Sequence, residues 1–278
     1  MNATWQDQLR QGRLSEALSA HLETPRPDEQ VTRRLETLSD LRAQLRAKAW
    51  TQAQRLAATL ETDALGDARS APQNASQNPL QSSAHPSPNP LHDLLPNLSA
   101  EVAQLVASGK HLERGEAEAA LTLLETVELP LLQAEADTQR GTALVFSGDA
   151  DAAVNAFTRA TTLDPRHYRA LTNLGNVRLE QERVDEAILH YEAALKLNDN
   201  FANAHHNLGV AYRRRGDVSR SVASIRRAQR VSKQHDREEA RAVLKTLGGE
   251  RRSKYIKWTL YALGAGGVFL LLRAQGMI

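Results

Sequence analysis

The chain is predicted to be all-α, and three observations carry that prediction. Hydrophobic residues make up 41% of the sequence but aromatics only 4%. With Ala, Leu, Arg and Glu abundant, this favours helices over the Val, Ile, Tyr and Phe usage of sheets. Small and apolar residues recur at a spacing of 34, the length of a helical hairpin that stacks on copies of itself. Finally, residues 251–278 hold a near-continuous apolar run behind a basic flank, the pattern of one more helix.

The N-terminal part, residues 1–61, is expected to be a helical module. Leu9, Gly12, Glu16, Ala17 and Leu18 read as a turn and second helix, and Val31 to Leu60 is strongly helical. A degenerate copy of the later repeat and a plain helical hairpin both fit this pattern. The N-terminus, MNATWQDQLRQG, has neither a basic start nor an apolar run, so no secretory signal is expected.

Residues 62–98 are loaded with Pro, Ser, Asn and Gln, including APQNASQNPLQSSAHPSPNP. Such a stretch cannot bury enough apolar surface to repay ordering, and it is expected to be a disordered linker. The linker would let the N-terminal module bind separately. Pro86, Pro88 and Pro90 give no P-x-x-P spacing for a proline-rich docking site.

Residues 99–250 are the predicted repeat domain. The 34-residue step links Gly141, Gly175 and Gly209, then Ala153, Ala187 and Ser221, then Phe157, Tyr191 and Ile225. It continues through Ala160, Ala194 and Ala228, and through Leu163, Leu197 and Val231. Each unit reads as two helices joined at Gly148-Asp149, Glu182-Arg183 or Gly216-Asp217. A bulky side chain at Gly175 would push the paired helices apart. Residues 99–132, with Ser99, Gly115, Ala120, Leu124 and Pro130, read as a decayed unit of the same kind.

These residues resemble the tetratricopeptide repeat, carried by NLGNVRLEQERVDEAILHYEAALKLN from Asn173 and NLGVAYRRRGD from Asn207. Three clear units are placed at 134–167, 168–201 and 202–235. Arg140 stands where Leu is usual, Arg178 where Tyr is usual, and only the first unit keeps its closing proline, Pro165. The resemblance implies a superhelix that binds proteins, with a concave face lined mainly by the first helix of each unit. Here that helix contributes Arg169, Thr172, Asn173, Asn176, Asn203, His206, Asn207, Val210, Arg213 and Arg214, with Arg237, Arg241 and Lys245 beyond the third unit.

The peptide-binding residues expected from this are Thr172, Asn173, Asn176, Asn203, His206, Asn207, Arg213, Arg237 and Arg241. Asparagine amides donate to and accept from an extended backbone with little demand on its sequence. The set resembles in part the carboxylate clamp of repeat co-chaperones. Asn176, Asn207 and Arg241 match it, Arg237 replaces a Lys, and Thr172 stands where another Lys belongs. The partner it implies is a protein or peptide of acidic character, while a generic polar lining accounts for the same residues.

Catalysis finds little support. Cysteine is absent, which removes disulfides, thiolate metal sites and cysteine nucleophiles. No Ser-His-Asp spacing or H-E-x-x-H pattern occurs, and Asp185-Glu186 lie on a solvated face. Adjacent His205 and His206 point about 100° apart on a helix and share a metal poorly. The G-x-G at Gly264 meets Phe269 where a third Gly belongs. No enzyme activity, cofactor or metal is expected.

Residues 202–278 hold 16 Lys and Arg against five Asp and Glu, leaving 19 against 28 before them. The C-terminal quarter is built for anionic company. Within it, Ile256 to Leu272 reads IKWTLYALGAGGVFLLL, 17 residues with one charge, Lys257. A helix of that length spans about 25 Å, slightly short of the roughly 30 Å hydrocarbon layer.

Arg251, Arg252 and Lys254 flank this run, Trp258 and Tyr261 sit at interface depth, and Lys257 and Arg273 can snorkel. The expectation is a single membrane span with cytoplasmic repeats, at a bacterial inner membrane. A helix capping the superhelix is the other reading of the same run. A rival function is a soluble or nucleic-acid-associated subunit using Arg213, Arg214, Arg215, Arg226, Arg227 and Arg230, although no aromatics interleave them for base stacking.

Overall fold

A computed structural model describes residues 4–70 and 94–247, with side chains described over 4–62 and 94–241. Among these residues there are twelve helices and no strands. They are α1 (Trp5–Arg10), α2 (Leu14–Leu22), α3 (Glu29–Arg46), α4 (Trp50–Ser70), α5 (Leu98–Glu113) and α6 (Ala117–Glu125). After them come α7 (Gln133–Phe146), α8 (Ala150–Leu163), α9 (Tyr168–Glu180), α10 (Val184–Leu197), α11 (Ala202–Arg214) and α12 (Val218–Leu247).

One local device organises all of them into six hairpins. The two helices of each hairpin are separated by three residues, and the central one is left-handed: Gly12, Lys48, Gly115, Gly148, Glu182 and Gly216. In every turn the N–H after the central residue donates to the carbonyl five positions back, at 2.9 Å. This closes the orphan carbonyls of the first helix and reverses the chain. The central residues from Gly115 onward follow one another at 33, 34 and 34 positions, and Gly12 and Lys48 at 36.

The recurring small and large residues of the sequence meet within the hairpins. A Cβ on Gly141 would lie 2.6 Å from the Phe157 ring, on Gly175 2.7 Å from the Tyr191 ring, and on Gly209 2.6 Å from Ile225. Phe157 and Tyr191 are fully buried. The two arginines that depart from the repeat pattern have local partners. Arg140 pairs with buried Asp137, which Arg159 also holds at 2.9 Å, and Arg178 donates to Gln181 at 2.8 Å while facing Glu186.

The N-terminal helices are not an independently tethered module, which corrects the expectation from the linker. The leucine stripe of α3 (Leu35, Leu38, Leu41, Leu45) is buried in one core with Leu9 and Leu14, with Leu95 to Val106, and with Val127 to Ala136. An apolar stripe of this width must find a partner face. It finds one in α4 and in the segment leading into α7. Gly12 comes so close to this segment that a Cβ there would meet the Pro130 carbonyl oxygen at 2.6 Å. Buried Glu101 secures the same segment by accepting from the N–H groups of Glu128 and Leu129, at 3.0 and 2.8 Å.

The second helix of the third repeat is not confined to 202–235. Helix α12 continues to Leu247 without a break. Among the described residues no helix is long and apolar enough to cross a membrane. The expected span at 256–272, with its basic flank, lies outside the described residues, as does most of the 62–98 linker.

Candidate functional site

The N-terminus of α9 is where the repeats meet the α3–α4 hairpin. Its side chains cap the last carbonyls of α3: Tyr168 Oη donates to Arg46 O at 3.1 Å, and Arg169 Nη1 lies 3.4 Å from the carbonyls of Leu45 and Arg46. A cation at a helix C-terminus also complements the macrodipole.

Beneath this contact is a buried charge cluster. Glu135 takes Arg169 at 3.4 Å, His167 at 3.1 Å and Gln139 at 3.0 Å. Burial alone would raise its carboxyl pKa, but Arg169, followed by His167 and Gln139, outweighs burial and holds it below the ordinary value. Asp164 behaves alike. Burial works against its charge, while Arg42 at 3.5 Å and Arg46 at 2.7 Å keep it lowered. Arg42 reaches further, to the Gly12 carbonyl at 3.2 Å.

The α3–α4 turn therefore lies against the first helices of the repeats and leaves a cleft on either side of it. The larger, about 510 Å³, runs between this turn and α12 and is lined by Lys48, Tyr168, Arg169, Asn198, Asn200 and Asn203, with Gln234, His235 and Glu238 opposite. The smaller, about 290 Å³, is lined by Trp50, Gln139, Thr142 and Phe146 and shares Lys48 and Arg169 with the first. Burial, then the charge of Arg169, lowers the Lys48 pKa, against the raising influence of Glu113 and Glu135.

The residues expected from the sequence are divided by this geometry. Asn203 is exposed and lines the larger cleft. Asn173 donates to Thr142 on the edge of the smaller one, at 3.4 Å. One period on, Asn207 donates to Asn176 at 2.8 Å, and Asn176 Oδ1 also accepts from Tyr191 Oη at 2.8 Å. These amides join neighbouring units as well as facing outward. His206 and Arg213 are exposed and line neither cleft.

Two expectations are corrected. Thr172 is buried, and its hydroxyl donates to the Tyr168 carbonyl at 2.9 Å, so it does not line the groove. Arg237 and Arg241 line neither cleft. Both are exposed on the unbroken α12, whose cleft side is formed by Val231, Ser232, Gln234, His235 and Glu238. With helix α12 uninterrupted, no separate helix turns back to carry these arginines inward.

Lys48, Trp50 and Phe146 are additions that the sequence did not point to. Lys48 and Trp50 belong to the α3–α4 hairpin, and only its docking brings them to the groove. Among the described residues no group of three or more His, Asp or Glu is arranged to hold a metal ion.

Comparison with known proteins agrees with the presence of the repeats. The tetratricopeptide repeat family profile matches residues 138–205 and 175–234. This stretch carries tetratricopeptide repeats. Protein bimA of Emericella nidulans is 26% identical over 119 residues, 43% of this chain, and the match spans 15% of that protein.

Among solved structures, a crystal structure of MamA aligns with a TM-score of 0.42 at 22% identity, covering 53% of this chain and 85% of MamA. YrrB, described as a TPR protein with an unusual peptide-binding site, aligns with a TM-score of 0.39 at 15% identity, covering 80% and 93%.

Proposed function

We propose that this protein is an interaction scaffold that holds an extended, acidic segment of a partner protein in its concave face. The observation that carries the reading is the 510 Å³ cleft beside the α3–α4 turn. Asn198, Asn200 and Asn203 offer both donors and acceptors to a peptide backbone, while Lys48 and Arg169 supply positive charge where the two clefts meet. Charge-assisted bonds from these cations favour a carboxylate-bearing ligand.

The scaffold is tethered through the apolar run Ile256 to Leu272, with the basic flank and the repeats on the cytoplasmic side of a bacterial inner membrane. Support for this part comes from the sequence alone. Selection of linear peptides by display against the full chain tests the groove. The expected result is a set of acidic peptides whose binding is lost with Lys48→Glu and with Asn203→Arg. Peptides without acidic residues, or binding indifferent to both substitutions, would remove the groove from consideration.

A further inference from the structure

Helix α12 presents a second surface that the groove does not use. Its 30 residues extend about 45 Å, and its packing face is marked by buried Ser221, Ala228 and Val231. On the opposite side stand Arg226, Arg230, Lys233, Arg237 and Arg241, spaced by 4, 3, 4 and 4 positions. At about 100° per residue they fall within an arc of roughly 80° and form a row about 22 Å long. All five are exposed.

The neighbouring cations are already engaged, Arg220 with Asp217 and Arg227 with Asp199. The five residues of the row have no ion pair or hydrogen bond among the described residues. Of the acids nearby, Asp236 and Glu238 stand about 60° to either side of the row, Glu238 accepting from Gln234, while Glu239 pairs with His235 further round the helix. A row of cations this long and straight is matched by an extended anionic surface and poorly by a single small anion.

We infer that this face of α12 lies on the anionic headgroups of a phospholipid bilayer, laying the repeat domain along the membrane rather than leaving it free on its tether. This rests on the tether reading, because the same chain continues through Gly248 and Gly249 to Arg251, Arg252 and Lys254 before the apolar run. Each Lys or Arg near an anionic leaflet adds to the attraction, within about a Debye length of the surface. No aromatic stands in the row to stack on bases, which favours lipid over nucleic acid.

The test uses the full chain, which has no native cysteine, with a single Gln229→Cys label beside the row. The protein is reconstituted into phosphatidylcholine vesicles with or without about 30 mol % phosphatidylglycerol, and energy transfer to a headgroup-bound acceptor is read. High transfer is expected only with the anionic lipid. Salt, raised from about 50 to about 300 mM, should lower it to the phosphatidylcholine value. Arg230→Glu, Lys233→Glu and Arg237→Glu together should abolish it while flotation with the vesicles persists.

Flotation with transfer that ignores lipid charge overturns the lipid face and leaves the tether standing. Salt-sensitive binding to anionic vesicles that fails to survive alkaline washing supports the face and overturns the tether. Displacement from anionic vesicles by a short RNA or DNA duplex at equal charge concentration would assign the row to nucleic acid and overturn the inference.

Discussion

Arg46 Nη1 lies 2.7 Å from Asp164 Oδ2, joining residues 118 positions apart in the chain. The carboxylate is shared with Arg42, and all three side chains are largely buried. This contact fixes the α3–α4 hairpin against the repeats.

Asp164→Ala should therefore cost about 3 kcal/mol, because it strands two guanidinium groups in a poorly solvated place. Hydrogen exchange should show the loss first in residues 29–46, and denaturant unfolding should show it in the whole described domain. Unchanged protection of α3 would mean that the apolar core alone holds the hairpin.

Acid should have a related effect. Asp164 and Glu135 are both held below their ordinary values by neighbouring cations, so the stability they lend is complete above the unfolded value of about 4. It is lost as pH falls through their lower folded values. The exchange protection of α3 should decline below about pH 4, and Asp164→Asn should remove part of that dependence. Buried Glu101, whose carboxyl is raised chiefly by burial, works in the opposite direction.

Gly175→Leu should destabilise the repeats by about 1 to 3 kcal/mol or more, since even a Cβ would meet the Tyr191 ring at 2.7 Å. Thermal melting of the full chain in detergent measures it. Combining Gly175→Ala with Tyr191→Leu should recover part of what Gly175→Ala alone loses, as residues in contact couple.

Glu182→Gly should have the opposite sign. Glu182 is exposed and left-handed, at φ 60°, in a turn where four of the five equivalent positions are glycine. Removing the Cβ relieves a backbone cost that outweighs the added freedom of the unfolded chain, for a gain of about 0.5 to 1 kcal/mol. A lower melting temperature would contradict this account.

The tether is checked by fractionation. Full-length protein should sediment with membranes and resist alkaline extraction, and a chain ending at Gly249 should not. Free solubility of the full-length chain without detergent would transfer the C-terminal run to the capping-helix reading.

What the sequence by itself determined is the register of the repeats. Gly141 faces Phe157, Gly175 faces Tyr191 and Gly209 faces Ile225 at a constant offset of 16 residues, and that offset is set by two helices and a three-residue turn. Local helix geometry fixes such pairs, so periodicity reveals them. Tertiary structure alone decided what occupies the groove. Arg46 and Asp164 carry no spacing signal, because their approach depends on how hairpins stack across a long intervening chain.

The direction of Arg237 and Arg241 was hidden for a similar reason. It depended on whether the chain turns after 235, and α12 runs on instead. The amides of Asn176 and Asn207 looked free for a ligand because a sequence names a donor without its partner. Only the fold brought them to 2.8 Å of one another, where part of their hydrogen-bonding capacity holds neighbouring repeats together.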